Sequence, residues 1–240
     1  MPVNPGLTVT IPSETPFFRI TSPAFYTTNS ADHRKVVNGE GAVNSQIGAR
    51  YNYPGVRTVY LTEDLESCFA ERLFYFHREV LRGLDLLRYP APIPPFQRNS
   101  ILWEIQFDYA LSDVFDACIQ SAPSYFNIFP SLMVNPSQDY EHLKQRRADI
   151  QSNGYKGLRA PSSRARRGGN LIILFDDQSS HVQSIIPYEV EFRLITVQGG
   201  PFINHAQDLL DFTAGEVRMP WIQPAGGSAY QNCQRVEFNH

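Results

Sequence analysis

The sequence predicts a single α+β domain, because segments typical of strands and segments typical of helices occur along one undivided chain. Short runs of β-branched, aromatic or alternating apolar residues predict strands in both halves of the sequence. Two longer segments, residues 63–82 and 138–152, carry apolar residues at helical spacing and predict helices. The 240 residues contain no internal repeat and no clear linker, so we expect one core to serve all of these elements.

Composition and charge are typical of globular proteins and limit the partners to expect. Hydrophobic residues make up 42% of the chain and charged residues 19%, a balance that predicts a folded rather than a disordered chain. The net charge of −3 gives no general attraction to nucleic acid or to an anionic membrane. We therefore expect no direct nucleic-acid binding and no membrane association, and any phosphate-binding site must be local.

Cysteine usage and the lack of long apolar runs predict a cytoplasmic protein. The three cysteines are an odd number without close pairing, which argues against a disulfide framework and fits a reducing compartment. The first residues lack the basic region and apolar run of a secretory signal. No apolar run approaches the roughly 20 residues that a helix needs to span a bilayer.

The first part of the chain predicts an arm, a strand and a loop. Residues 1–16 are rich in proline and are expected to form an extended arm. Residues 17–20 predict a short strand that includes Arg19. Residues 27–45 are polar and contain two glycines, which favours a long loop of the kind that often serves function.

The next segment predicts a strand followed by a helix that carries a carboxylate. Residues 57–61 are β-branched or aromatic and predict a strand, after which Thr62 is expected to cap the helix. The helix is expected to run to about residue 82 and to stop at Gly83. Glu71 falls at the edge of the apolar stripe of this helix, where its carboxylate would be partly shielded from solvent.

The second half of the chain predicts further strands around one helix. An alternating pattern predicts a half-buried strand over residues 101–107, and a second short strand follows over residues 111–117. Ser137 is expected to cap the helix of residues 138–152, and Asn153-Gly154 to end it. Residues 157–175 place two apolar strands around a basic loop, residues 189–194 predict another strand, and the last 25 or so residues are expected to be irregular.

Arg19 and Arg50 are candidates for binding an anionic ligand, because each interrupts or adjoins apolar, strand-like sequence. A pyrophosphate requires fixed cations or bundled backbone N–H groups. The alternative interpretation is that each arginine forms a structural ion pair, or that Arg50 lies in a surface turn. The basic loop adds Arg164, Arg166 and Arg167, of which we expect at least two to be solvated.

Tyr60, Glu71 and Ser162 each allow a functional and a structural interpretation. Tyrosines in strands mostly pack in cores, and a glutamate on a helix is by default solvated or paired with a neighbour. Ser162 follows Pro161 without a Gly-x-Ser-x-Gly elbow, which predicts a hydrogen-bonding residue rather than a nucleophile. There is no Gly-x-Gly-x-x-Gly or Walker loop, and the six histidines show no metal spacing, so we expect neither a metal nor a bound cofactor.

Four segments, in their order and spacing, resemble the RES domain, a family named for its arginine, glutamate and serine. The resemblance covers about residues 17–178. Where the family usually has Gly-Gly-Arg-Trp-Asn, this chain has Gly-Ala-Arg-Tyr-Asn, so Ala49 and Tyr51 are departures. The four segments are Phe18-Arg19, Gly41 to Asn52, Val59-Tyr60-Leu61 with Glu71, and Gly157-Leu-Arg-Ala-Pro-Ser with Gly168-Gly169-Asn170.

The resemblance implies a fold similar to that of ADP-ribosyltransferases, with a mixed, split β-sheet and flanking helices. The catalytic domain is assigned to residues 17–195, and residues 196–240 are expected to form an extension packed on the same domain. The resemblance also implies a toxin of a bacterial toxin–antitoxin pair, whose partner is a small antitoxin with an Xre-like DNA-binding region. A homo-oligomer is a further possibility at this stage.

Members of the family consume NAD by cleaving the bond between nicotinamide and ribose, so NAD is expected as a substrate and not as a cofactor. The acceptor, whether water, phosphate or a protein side chain, stays open. A mono-ADP-ribosyltransferase and a non-catalytic nucleotide- or antitoxin-binding module are the alternatives. Carried over by position, the catalytic residues are Glu71, Arg50, Tyr60 and Ser162, and the substrate-binding residues are Arg19, Arg50, Tyr60, Ser162 and Asn170.

Overall fold

The computed structural model describes residues 3–26, 29–46, 48–65, 67–69, 71–72, 99–119, 126, 140–162, 169–191 and 221–224. Within these ranges the chain has the mixed α+β fold that the sequence predicts. The strands are β1 Thr8–Ile11, β2 Phe17–Thr21, β3 Val59–Thr62, β4 Asn99–Phe107, β5 Leu111–Asp116, β6 Gly157–Pro161, β7 Asn170–Leu174, β8 Val182–Glu191 and β9 Trp221–Pro224. The α-helices are α1 Ser30–His33, α2 Glu40–Val43, α3 in the described part of residues 65–72, and α4 Glu141–Ser152.

The nine described strands form one mixed sheet in the order β1-β5-β6-β7-β3-β2-β4-β8-β9. The pairing of β5 with β6 is parallel, and the other pairings are antiparallel. Between β2 and β3 the sheet is nearly divided, because these strands pair only through Phe18 and Thr62. On either side of this junction β2 pairs with β4 at five positions and β3 with β7 at four. The split sheet expected for this chain is therefore present, and the split lies between β2 and β3.

The hydrophobic core lies on both faces of the sheet as two clusters of buried side chains. In one cluster Phe115 packs edge-on against Phe126 and Tyr155, with ring centroids 4.9 Å and 5.3 Å apart. In the other, Trp103 is fully buried and packs edge-on against His33 at 5.1 Å. Strand β7 supplies both clusters, Leu171 and Ile173 to one and Ile172 and Leu174 to the other, because successive side chains point to opposite faces.

Helix α3 begins at residue 65, two residues later than the sequence predicts. Thr62 ends strand β3, and its hydroxyl donates to the carbonyl of Phe18 at 3.2 Å, so the prediction that it caps the helix was wrong. Asp64 performs the capping instead. Its carboxylate accepts from the backbone N–H of Ser67 at 2.7 Å and from the hydroxyl of the same residue at 2.8 Å. Both Thr62 and Asp64 are residue types that cap helices, and pairing with β2 decides which one does.

Helix α4 packs against the sheet through Leu143 and Ile150, both buried as the pattern predicts. The helix ends at Asn153, followed by Gly154 in the left-handed region at φ 90°, which confirms the predicted Asn-Gly stop. Arg147 is also buried on this face, and its guanidinium lies over the ring of Phe175 at 4.5 Å from the centroid.

Three segments hold more regular structure than their composition indicates. Strand β1 forms within the proline-rich arm of residues 1–16 and pairs with β5 at one edge of the sheet. The loop prediction for residues 27–45 was wrong in part, because α1, α2 and a short 3₁₀ helix form there. Asn29 accepts from the N–H of Ala31 and caps α1, a local bond that hydrophobic periodicity does not signal. Strand β9 forms within the last 25 residues, where the sequence predicts irregular chain, by pairing with β8.

Several predictions fall on residues outside the described ranges. These are the stop at Gly83 and the basic loop with Arg164, Arg166 and Arg167. Ser137 also lies outside them, but the predicted helix start was wrong, because α4 begins at Glu141 with Tyr140 as its N-cap, three residues later than expected. Apart from β9, the predicted C-terminal extension of residues 196–240 also lies outside them. In the described part of the chain no helix combines the length and the apolarity that crossing a membrane requires.

We expect replacement of Phe115 by alanine to destabilise the fold strongly. The ring is 0% exposed and contacts two other aromatic rings, so its loss leaves a cavity costing about 3–5 kcal/mol in the free energy of unfolding. Urea denaturation measures this change. The control is Ile186→Ala at a side chain that is 43% exposed, which should change stability by less than about 0.5 kcal/mol. Equal effects of the two substitutions would contradict the assignment of this core.

Candidate active site

A cavity of about 270 Å³ opens where β2 and β3 separate. Because the two strands share one residue pair, their edges diverge and leave space that other segments fill in part. The walls come from β2, from β3, from the turn of residues 48–52 and from the first turns of α3. The lining residues are Phe18, Arg19, Ile20, Ala49, Arg50, Tyr51, Tyr60, Leu61, Thr62, Cys68, Glu71, Arg72 and Leu171.

The turn that carries Arg50 depends on a glycine. Gly48 has φ 70°, and a Cβ atom there would collide with the carbonyl oxygen of Asn52. Across the turn, the N–H of Ala49 donates to the carbonyl of Asn52 at 3.0 Å, and the reverse bond is 3.4 Å long. Glycine permits this close approach and the left-handed backbone, so Arg50 and Tyr51 lie at the tip of a tight turn.

Tyr60 holds this turn against the sheet. Its hydroxyl accepts from the N–H of Tyr51 at 3.1 Å and donates to Oδ1 of Asn52 at 2.7 Å. The ring of Tyr60 lines the cavity and lies 6.5 Å from the ring of Tyr51. The hydroxyl therefore has a structural role, while the aromatic face remains part of the cavity wall.

Glu71 is the carboxylate at which the predicted residues meet. Nη2 of Arg50 lies 3.4 Å from Oε2 of Glu71, and the hydroxyl of Ser162 donates to Oε1 at 2.9 Å. The side chains of Arg50 and Glu71 are 7% and 18% exposed, so water screens this ion pair less than a surface pair. The structure thus brings together three of the residues predicted as catalytic, from positions 21 and 91 apart in sequence.

Ser162 reaches Glu71 because a second glycine lets the strand end pack on α3. The N–H of Ser162 donates to the carbonyl of Gly169 at 2.6 Å, which closes the ends of β6 and β7. A Cβ atom on Gly169 would collide with the hydroxyl of Ser67 in the first turn of α3. Only a glycine lets this backbone approach the helix so closely, and the approach brings Ser162 to the carboxylate.

Arg19 enters the cavity from β2, on the other side of the split. Its Nη1 donates to the carbonyl of Val36 at 2.5 Å, which fixes the direction of the guanidinium. Burial lowers the pKa of Arg19 to about 10, and the nearby Cys68 and Tyr60 oppose this change. The group is therefore still a cation at neutral pH.

Three side chains that line the cavity, Arg72, Tyr51 and Cys68, were not predicted as site residues. Arg72 lines the cavity beside Glu71, and no pattern signalled it, because adjacent helical residues normally point in different directions. Tyr51 is 1% exposed, and burial raises the pKa of its hydroxyl above the usual value. Cys68 also lines the cavity, but burial raises the pKa of its thiol to about 12, so it is neutral and a poor nucleophile.

Asn170 is not among the described residues that line the cavity, although its neighbour Leu171 is. The amide of Asn170 donates to Oε2 of Glu63 at 2.7 Å, and Arg159 binds both oxygens of this carboxylate at 2.8 Å and 3.0 Å. Asp116 joins the same cluster through Arg159 at 3.0 Å. In this structure the side chain of Asn170 thus belongs to a second polar cluster, with Glu63 and Arg159.

Within the described ranges, no group of three or more histidine, cysteine, aspartate or glutamate side chains is arranged to hold a metal ion. Among the described lining residues, the charged groups are guanidinium groups and one carboxylate. The guanidinium groups can bind the phosphate groups of a substrate. The carboxylate beside them can stabilise positive charge that develops on the same substrate.

A comparison with protein families agrees with the resemblance seen in the sequence. The family model described as "RES domain" matches residues 16–196. No curated protein matches the chain significantly. Among solved structures, this chain is similar to a chain of the M. tuberculosis MbcT–MbcA toxin–antitoxin complex, known from its crystal structure. The TM-score is 0.47 and the identity 16%, over 74% of this chain and 86% of that one.

We expect Gly48→Ala to destabilise the protein and to displace the turn that carries Arg50. The substitution forces alanine into positive φ and drives its methyl group into the carbonyl of Asn52, which together cost about 2 kcal/mol or more. For a chain of this size, thermal unfolding should show a Tm lowered by about 4–8 °C.

Gly55→Ala is the matched control for this substitution. Gly55 also has positive φ, at 78°, but a Cβ atom there meets nothing within 4 Å. Its replacement should therefore cost only the backbone strain, about 1 kcal/mol. The collision at Gly48 accounts for the difference between the two variants, and equal Tm values would contradict the turn geometry.

Proposed function

The chain belongs to the RES domain family, and on that premise we propose that it is the toxin of a bacterial toxin–antitoxin pair that cleaves NAD between nicotinamide and ribose. The observation that carries the proposal is the charge of the cavity. Among the described residues that line it are Arg19, Arg50, Arg72 and one carboxylate, so three positive charges and one negative leave an excess of two. The whole chain has a net charge of −3, so this excess is local. A dinucleotide has one negative charge on each phosphate of its pyrophosphate, which matches it.

Arg19 and Arg50 approach the cavity from opposite sides of the split and are suited to hold the pyrophosphate between them. Guanidinium groups form short, charge-assisted hydrogen bonds with phosphate oxygens, and partial burial strengthens them. Holding the phosphates in this way orients the nicotinamide ribose toward Glu71. The ring of Tyr60 is fixed through its hydroxyl and offers a face on which nicotinamide can stack.

In the proposed reaction the bond between the ribose C1′ and the nicotinamide nitrogen breaks first. The bonding electron pair leaves with nicotinamide, which becomes a neutral ring, and positive charge develops on the ribose as in glycoside cleavage. The carboxylate of Glu71 stabilises that charge electrostatically. Ser162 supports this role, because its hydrogen bond to Oε1 holds the carboxylate in one orientation.

An acceptor oxygen then attacks C1′ and releases its proton to solvent. Water gives ADP-ribose, and inorganic phosphate gives ADP-ribose carrying a phosphate on that carbon. A protein side chain as acceptor gives mono-ADP-ribosylation, which shares the first step and is the alternative outcome. A chain that binds NAD without turning it over would be the non-catalytic module. The proposed partner that restrains the toxin is a small antitoxin with an Xre-like DNA-binding region.

We expect Glu71→Gln to abolish NAD consumption without unfolding the protein. The amide retains an oxygen that accepts from Ser162 but lacks the negative charge, so kcat should fall by about 100-fold or more. Nicotinamide release from purified protein measures kcat, and circular dichroism checks the fold. Glu40→Gln, at an exposed carboxylate on α2, is the control and should leave kcat unchanged. Full turnover by the Glu71→Gln variant would refute the proposed chemistry.

The acceptor is identified by incubating the protein with labelled NAD in phosphate buffer and in phosphate-free buffer. If water is the acceptor, we expect NAD to be lost in both buffers. If phosphate is the acceptor, we expect NAD to be lost only in phosphate buffer. Label bound covalently to protein would instead indicate ADP-ribosyl transfer. Expression in a bacterial host should arrest growth, and Glu71→Gln should relieve the arrest. Growth arrest that persists with Glu71→Gln would contradict a toxicity based on this reaction.

A further inference from the structure

We propose that Tyr140, immediately before α4, is a positioning residue for Arg50. The proposal rests on the function proposed above, in which Arg50 binds the substrate phosphates. Cζ of Arg50 lies over the ring of Tyr140, 5.8 Å from its centroid. This distance is within the range of a cation–π interaction, which is stronger when the cation is desolvated. Arg50 is only 7% exposed, so the ring contacts a cation with little water around it.

Helix α4 fixes the position of the Tyr140 ring. Tyr140 is partly buried against the core cluster that contains Leu143 and Ile150. The same face of α4 holds the segment that follows Arg50 in sequence. The hydroxyl of Tyr53 donates to the carboxylate of Glu141 at 2.5 Å, and Nζ of Lys144 lies over the Tyr53 ring at 5.5 Å. Nη2 of Arg147 donates to the carbonyl of Arg57 at 3.1 Å.

These contacts have the spacing of one helical face. Positions 140, 144 and 147 follow each other by four and three residues, which places them on the same side of the helix. Arg147 is buried and also donates to Oε1 of Gln151 at 2.6 Å, so the guanidinium that contacts the carbonyl of Arg57 is held rigidly. Tyr140 is therefore held by a docked helix.

The ring of Tyr140 competes with Glu71 for Arg50. The ion pair between Arg50 and Glu71 is long, at 3.4 Å, while the ring holds the same guanidinium by a second attraction. Without the ring, the guanidinium is expected to move closer to Glu71, because a strong ion pair prefers about 2.7–2.9 Å. Arg50 would then be less available to phosphate, so substrate binding would weaken more than the chemical step.

The kinetic test compares substitutions that keep or remove the ring. Tyr140→Phe keeps it and should leave KM for NAD within about twofold of the wild-type value. Tyr140→Leu removes it and should raise KM by about fivefold, consistent with a cation–π interaction of about 1 kcal/mol, with kcat changed by less than about twofold. Gln145→Ala, at an exposed position of α4, is the control and should change neither constant. Equal effects of Tyr140→Phe and Tyr140→Leu would overturn the proposal.

A second measurement does not depend on turnover. The Nε–Hε signal of Arg50 in a ¹⁵N NMR spectrum, assigned by its loss in Arg50→Lys, should carry a ring-current shift in the wild type and in Tyr140→Phe. The shift should vanish in Tyr140→Leu, or in Tyr140→Met if the leucine variant is unstable. An Arg50 signal that is the same in all variants would overturn the positioning role. If the signal moves as expected but the wild type consumes no NAD, the proposed function fails and the contact stands.

Discussion

The ion pair between Arg50 and Glu71 is the interaction on which the cavity depends. It joins the tight turn after Gly48 to helix α3 in the wall of the cavity, with both side chains largely shielded from water. A shielded carboxylate is costly unless cations and hydrogen-bond donors surround it, and Arg50 and Ser162 supply both. The pair also keeps a negative charge beside guanidinium groups. The proposed cleavage between nicotinamide and ribose requires both, the carboxylate for the positive charge on the ribose and the guanidinium groups for the phosphates.

The split in the sheet provides the space for this pair. In a regular ladder, backbone hydrogen bonds would join the edges of β2 and β3 along their length, and the strands would lie less than 5 Å apart. Here they meet at Phe18 and Thr62 and then diverge, so Arg19 and Tyr60 reach the gap from opposite strands. The strong pairings of β2 with β4 and of β3 with β7 stabilise the two halves, which lets the junction remain open without loss of the fold.

Local patterns predicted the elements well where periodicity was long, and poorly where a tertiary contact decided the outcome. The strand β4 and the Asn-Gly end of α4 could be predicted because each depends on a few neighbouring residues. The cap of α3 was assigned to Thr62 and belongs to Asp64, because pairing with β2 extends the strand through Thr62. Strand β9 was missed because its hydrogen bonds come from β8, which is distant in sequence.

The sequence by itself determined the family, the α+β class and the residue types of the site, because these follow from short motifs in a fixed order. Only the tertiary structure decided which of those residues meet. Ser162 joins Glu71 from 91 residues away through the close approach of Gly169 to α3, whereas the side chain of Asn170, one residue after that glycine, donates to Glu63. Tertiary structure likewise places Arg72 in the cavity wall and the ring of Tyr140 against Arg50. Strand register and helix docking set such contacts, and both depend on how the whole sheet packs.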